Sequence, residues 1–178
     1  QLTLRRVRLD KAERETLLTL DTPIPGTRRR PTKIYSFSTI RSDGKALAVS
    51  AFLGDGLEKD APFGLLVFDL ENGRVTLPLQ GPQYGNMHPQ YCRSTDSRAL
   101  HDIMVQDNAD NFIHSLTGEV LDYRKTLKLD IHVLRDDGTH FRNLPWGATQ
   151  REHVQGHQCW RGRTEWAITS LSAYESKT

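Results

Sequence analysis

Apolar and polar residues alternate in short runs along this chain, and the runs are punctuated by turn dipeptides rather than by helical spacing. The stretch "GLLVFDLENGRVTLPL" (64–79) reads as a strand, an Asn72-Gly73 turn and a second strand. Asparagine and glycine tolerate the positive φ angles of a tight two-residue hairpin. "DIHVLRDDGTHFRNLP" (130–145) repeats this grammar around Asp137-Gly138, and "QLTLRRVRLDKAERETLLTL" (1–20) repeats it around Asp10-Lys11. A second unit precedes two of these hairpins. "KIYSFSTIRSDGKALAVSAFL" (33–53) turns at Asp43-Gly44, "HPQYCRSTDSRALHDIMVQ" (88–106) turns near Asp96, and "GHQCWRGRTEWAITSLS" (156–172) opens a third copy. No segment sustains an apolar period of 3.6, so helix is scarce.

Two such hairpins in succession make a four-stranded antiparallel unit. At roughly 40–50 residues per repeat, that is the spacing of propeller blades. The pattern predicts an all-β fold of β-propeller blades, each a four-stranded antiparallel sheet, in one domain over 1–178. Its parts are a half blade (1–20), a blade (33–80), a second blade (88–145) and a half blade (156–178). An antiparallel sandwich is the plainer alternative. Propellers close with about four to eight blades, so about three blades' worth of sequence is an incomplete propeller. The expectation is a chain cut from a longer protein, or one that self-associates to complete the ring. The absence of an initiator Met points the same way.

Composition narrows the partners. The 24 Lys and Arg are dispersed among 22 Asp and Glu, for a net charge of +2. The one basic run, Arg28-Arg29-Arg30, sits between Pro25-Gly26 and Pro31 and reads as a solvated loop, so no nucleic-acid partner is expected. No apolar run approaches the roughly 18 residues of a membrane span, and the charged N-terminus is no signal peptide. A cytoplasmic location is expected, with the periplasm as the alternative. Cys92 and Cys159 are too few for a disulfide framework.

The chemistry concentrates where blades begin. In a propeller the first strand of each blade lines the central channel, and the loops entering those strands gather on one face. "NMHPQYC" and "HVQGHQCW" occupy that position, so His88, Gln90, His153, Gln155, His157 and Gln158 are expected to converge on one channel mouth. Imidazole nitrogens and amide oxygens suit a divalent ion such as manganese. His153 and His157 have the HxxxH spacing of a zinc protease, but that motif needs a helix, and Gly156 beside a strand argues against one. His101 and His132 read as strand histidines, and His114 and His140 as solvated turn residues. Trp146, Trp160 and Trp166 read as plugs between blades, with Trp146 also a candidate platform for stacking a sugar.

The ordered set "HPQYC…DIMVQDN…DIHVLRDDGTHFRNLPWG…EHVQGHQCW" resembles the oligogalacturonate lyase family of seven-bladed propellers. That resemblance covers about half of the chain. It implies metal-assisted β-elimination of short acidic (uronate) oligosaccharides, an activity of pectin degradation, with Mn(2+) or a similar cation as cofactor. It carries a metal ligand onto His157 and cleft residues of the catalytic site onto His88 and Gln90. Arg142, Arg151 and Arg161 flank the entrance and are candidates for pairing with a uronate carboxylate, beside Trp146. The chain departs from the family at Gln106-Asp107-Asn108, where a histidine is expected. It has no arginine between Gln80 and His88, and no Gln…His-x-His cluster follows before Thr178. Activity is therefore expected only in a complete chain. The competing readings are a non-catalytic carbohydrate-binding propeller and a protein-interaction propeller.

Overall fold

The computed structural model describes residues 2–54, 62–109, 112–113, 120–122, 128–147, 154 and 156–170. All its regular elements are strands, and no helix occurs among the described residues. Two four-stranded antiparallel sheets dominate. In the first, β3 (Arg30–Ile40), β4 (Ala46–Gly54), β5 (Phe63–Asp69) and β6 (Arg74–Gly81) lie in chain order. In the second, β7 (His88–Tyr91), β8 (Asp102–Ala109), β11 (Lys128–Arg135) and β12 (Arg142–Gly147) do the same. A short pair absent from the sequence reading, β9 (Phe112–Ile113) with β10 (Val120–Asp122), interrupts the chain between β8 and β11. The hairpins β1 (Leu2–Arg8) with β2 (Glu13–Leu20), and β13 (Cys159–Trp160) with β14 (Ala167–Ile168), complete the described strands.

These pieces stack as layers, and strand alternation shows why. Along β4 and β5, Ala46, Ala48, Phe52, Phe63, Leu65 and Val67 face the second sheet, where they meet Met87, Tyr91, Ile103, Val105 and Leu134. Their neighbours in sequence, Val49, Ala51, Leu53, Leu66 and Phe68, point the other way and are covered by Leu2, Leu4, Leu18 and Leu20 of the first hairpin. A sheet buried on both faces reads as a continuous apolar run, as β4 and β5 do. The second sheet repeats the scheme. Met104, Ile131 and Val133 leave its far face against Trp146, Val154, Trp160 and Ala167. Each fully buried large side chain contributes roughly 1.5–3 kcal/mol, so the stacking of sheets is the main source of stability. The architecture is that of propeller blades packed face to face.

The Asn72-Gly73 turn is not the two-residue hairpin read from sequence. Asp69 pairs with Arg74 across a four-residue loop, and only Gly73 takes a positive φ, of 63°. The Asp69 carboxylate accepts the backbone N–H groups of Glu71 and Asn72 at 2.9 and 3.0 Å. That local capping favours the wider loop, because it satisfies donors a tight turn would leave to water.

Candidate functional site

Three chain segments run side by side where the layers meet. Phe37 on β3 stacks on His88 of β7, with ring centroids 3.9 Å apart. Further along, the Tyr91 N–H donates to Thr39 Oγ1 at 3.1 Å, and Ser42 Oγ donates to the Ser94 carbonyl at 2.7 Å. On the other flank, Gln90 Nε2 donates to the Gln158 carbonyl at 2.8 Å, and Trp160 Nε1 donates to the Gln90 carbonyl at 3.0 Å. The end of β3, β7 and the 158–160 segment thus run alongside one another, each from a different layer.

Both entrances to these strands pass through left-handed backbone. Asn86 has φ 56°, while Gly156 and His157 have φ 88° and 60°. Glycine takes that conformation freely, and asparagine and histidine adopt it more readily than most other residues. A Cβ on Gly156 would lie 2.8 Å from Gln106 Oε1, so the entering chain is pressed against β8. This curl leaves His157 exposed at the mouth.

His88 and His157 lie near enough there for the charge of one to act on the other. Burial, and secondarily the charge of His157, pushes the His88 imidazole below the usual histidine range. Its Nε2 lies 3.2 Å from Asn86 Oδ1. An amide oxygen only accepts, so this bond places the proton on Nε2 and leaves Nδ1 as the basic nitrogen. Gln106 sits opposite His88 in the β7–β8 ladder. It and Gln158 are buried, and each carries a side-chain oxygen with no hydrogen-bond partner among the described residues. An orphaned buried amide oxygen is costly, which marks this spot as polar beyond what packing needs. The sequence reading took Gln106 as the place of a lost histidine, and it did not single out Phe37.

The other expected residues do not gather at the mouth. The amide nitrogen of Gln90 is spent on a backbone carbonyl, so Gln90 staples two strands together rather than facing a ligand. Arg142 is paired with Asp102, beside the β11–β12 turn and at the opposite end of the sheet from His88. Its guanidinium is committed to the blade because Asp102 is buried and needs a cation. Trp146 packs on Met104, Ile131 and Val133 as a partly buried plug. Arg161 opens the β13–β14 turn, on the far side of Cys159–Trp160 from His157. Arg151, His153, Gln155 and His114 lie outside the described residues. His101 is not a strand residue: it precedes β8, where Nδ1 lies 3.0 Å from Asp136 Oδ1. His132 is a packed strand histidine, 2% exposed, with Nδ1 3.3 Å from Asp107 Oδ2 and its ring against Tyr84 and Phe141.

A divalent ion would find two imidazoles and two amide oxygens near this mouth. Among the described residues no group of three or more His, Cys, Asp or Glu could hold a metal ion. These residues alone therefore do not fit a manganese centre, which normally draws on several oxygen or imidazole donors.

No family model matches the chain, and no curated protein does. Solved structures do. The chain is similar to an oligogalacturonate lyase in complex with manganese, with 18% identity over 79% of this chain and 34% of that one, at a TM-score of 0.49. It is also similar to an oligogalacturonate lyase from Vibrio parahaemolyticus, with 17% identity over the same shares and a TM-score of 0.50. The chain spans about a third of the length of these structures. At such identity the likeness concerns fold, and it agrees with the stacked four-stranded blades: the chain is an all-β, propeller-type protein.

Proposed function

We propose that this chain forms part of an oligogalacturonate lyase-like propeller that binds short uronate oligosaccharides and cleaves them by β-elimination. The observation that carries this reading is the half-buried His88 at an inner-strand entrance, its Nε2 on Asn86 Oδ1 at 3.2 Å, with His157 near enough to act on it electrostatically. Elimination needs a base for the weakly acidic C–H beside a carboxylate. A histidine kept neutral by burial is suited to that task near pH 7, and His88 offers Nδ1 for it. The proton passes from C5 to His88 Nδ1, the C4–O bond breaks, a C4–C5 double bond forms, and the leaving oxygen takes up a proton. His157 would be one donor to a divalent cation, which needs more donors than the described residues supply. Such a cation, when bound, would stabilise charge that develops on the substrate carboxylate.

The same entrance supports a second reading, an acidic-sugar binder without chemistry. Gln90 favours it, because a catalytic role would need the amide that it gives to Gln158. One experiment separates the two. The intact protein is offered digalacturonate and a reduced neutral analogue with manganese, and the ultraviolet absorbance of the unsaturated product is followed. Product from digalacturonate, lost in His88→Asn, supports the lyase. Binding of digalacturonate without product supports the binder, and no binding removes both.

A further inference from the structure

A pocket of about 680 Å³ opens at the other end of the inner strands, away from His88 and His157. Its wall carries Arg93 and Arg163 together with the hydroxyl residues Ser38, Thr39 and Ser42. No acidic side chain is among the described residues lining it. A second pocket of about 340 Å³ shares Ser38, Thr39, Arg93 and Gly162 and extends the same surface toward Trp160. The charge is segregated, since the chain as a whole is nearly balanced at +2.

Neighbouring arginines behave differently. Arg41 is held by Asp43 and Asp136, Arg98 by Asp96, and Arg142 by Asp102. The carboxylates around this end of the blades are thereby taken, and Glu165 lies 3.9 Å from Arg98. Arg93 and Arg163 have no ion pair or hydrogen-bonding carboxylate among the described residues. Two guanidiniums on one concave wall repel each other unless an anion lies between them, and their planar forks match oxyanions. The site is also built rather than incidental. Arg93 follows the buried Cys92, whose thiol donates to the Thr164 carbonyl at 3.6 Å, and that contact fixes the turn bearing Arg163 beside it. Thr164 Oγ1 closes the turn onto the Arg161 carbonyl at 2.7 Å.

We infer that Arg93 and Arg163 form a second ligand site, for a small oxyanion (carboxylate or phosphate), distinct from the histidine entrance. Ser38 lends a hydroxyl that makes no hydrogen bond among the described residues. The site needs neither a lyase activity nor a metal.

The test is calorimetric titration of the intact protein with inorganic phosphate, galacturonate and neutral galactose, without added metal. Phosphate or galacturonate should bind, galactose should not, and whichever anion binds tighter identifies the source. Arg93→Ala and Arg163→Ala should each weaken anion binding by about tenfold. Arg74→Ala, on the exposed β5–β6 turn, should leave it unchanged. Thermal melting of each variant separates loss of a site from loss of fold. Equal affinity in all three variants, or equal binding of galactose, would overturn the assignment. So would anion binding that disappears only in His157→Ala. Product formation from digalacturonate is a separate readout, so failure here leaves the proposed elimination standing, and the reverse holds too.

Discussion

Arg41 Nη1 donates to Asp136 Oδ2 at 2.8 Å, across the boundary between the first four-stranded sheet and the second. The two residues sit at turns, one after β3 and the other after β11. Asp136 also accepts from the Tyr91 hydroxyl at 3.1 Å and lies 3.0 Å from His101 Nδ1. One carboxylate therefore gathers an arginine, a tyrosine and a histidine from three other stretches of chain. Burial works to lower the Arg41 pKa, but hydrogen bonds to Asp43 and Asp136 outweigh it and raise it. Burial first, then the Asp136 charge, holds the Tyr91 phenol well above its usual value.

Removing that carboxylate should loosen the blades. Asp136→Ala leaves the largely buried Arg41 with Asp43 alone and is expected to cost about 3 kcal/mol. Tyr91→Phe removes one hydrogen bond and should cost about 1 kcal/mol. Urea denaturation measures both. Equal and small losses would mean that the network is ornamental to stability.

Gly156 and Gly44 provide a matched pair. Both have a positive φ, 88° and 75°, but a Cβ at Gly44 meets nothing within 4 Å while one at Gly156 meets Gln106. Gly44→Ala should cost about 1–2 kcal/mol, the penalty of left-handed backbone alone. Gly156→Ala should cost more, because the buried Gln106 must also move. Thermal melting ranks them, and the reverse order would contradict the close approach.

Trp146→Ala should destabilise the fold by about 3 kcal/mol through lost packing. Sugar affinity of the folded variant should be unchanged. A selective loss of affinity with unchanged melting temperature would restore Trp146 as a stacking platform.

Manganese affinity should fall by at least about tenfold in His157→Ala, since even residues supporting a metal ligand commonly matter that much. Titration of the intact protein and the variant gives the ratio. Equal affinities would take His157 out of any metal site.

Acid should unfold the turns from a definite side. Hydrogen bonds from Arg98 hold the Asp96 carboxyl down at about 2. Hydrogen bonds from Asn72 and from Thr139 likewise lower Asp69 and Asp137. A carboxyl with a depressed folded pKa stabilises above its unfolded value, about 3.8 for aspartate, and loses that contribution as pH falls through the folded value. Stability followed by circular dichroism should therefore decline from about pH 4 toward pH 2. In Asp96→Asn the decline should be shallower, and an unchanged slope would discount Asp96.

Strand pairs and their facing were legible in the sequence because they depend on local alternation. The apolar run of β4 and β5 announces a sheet covered on both sides, and turn residues such as Asp43-Gly44 fix where it folds back. The entrance histidines were legible too, since each directly precedes or opens an inner strand. What escaped the reading depends on distance along the chain. Arg41 and Asp136 are 95 residues apart, and nothing near either names the other. Arg142 looked free until Asp102 claimed it, and Gln90 looked catalytic until Gln158 took its amide. Local backbone preference writes strands into sequence, whereas the pairing of polar groups is decided only when layers stack. Burial then forces each donor and charge to take the partner that the tertiary structure brings within reach.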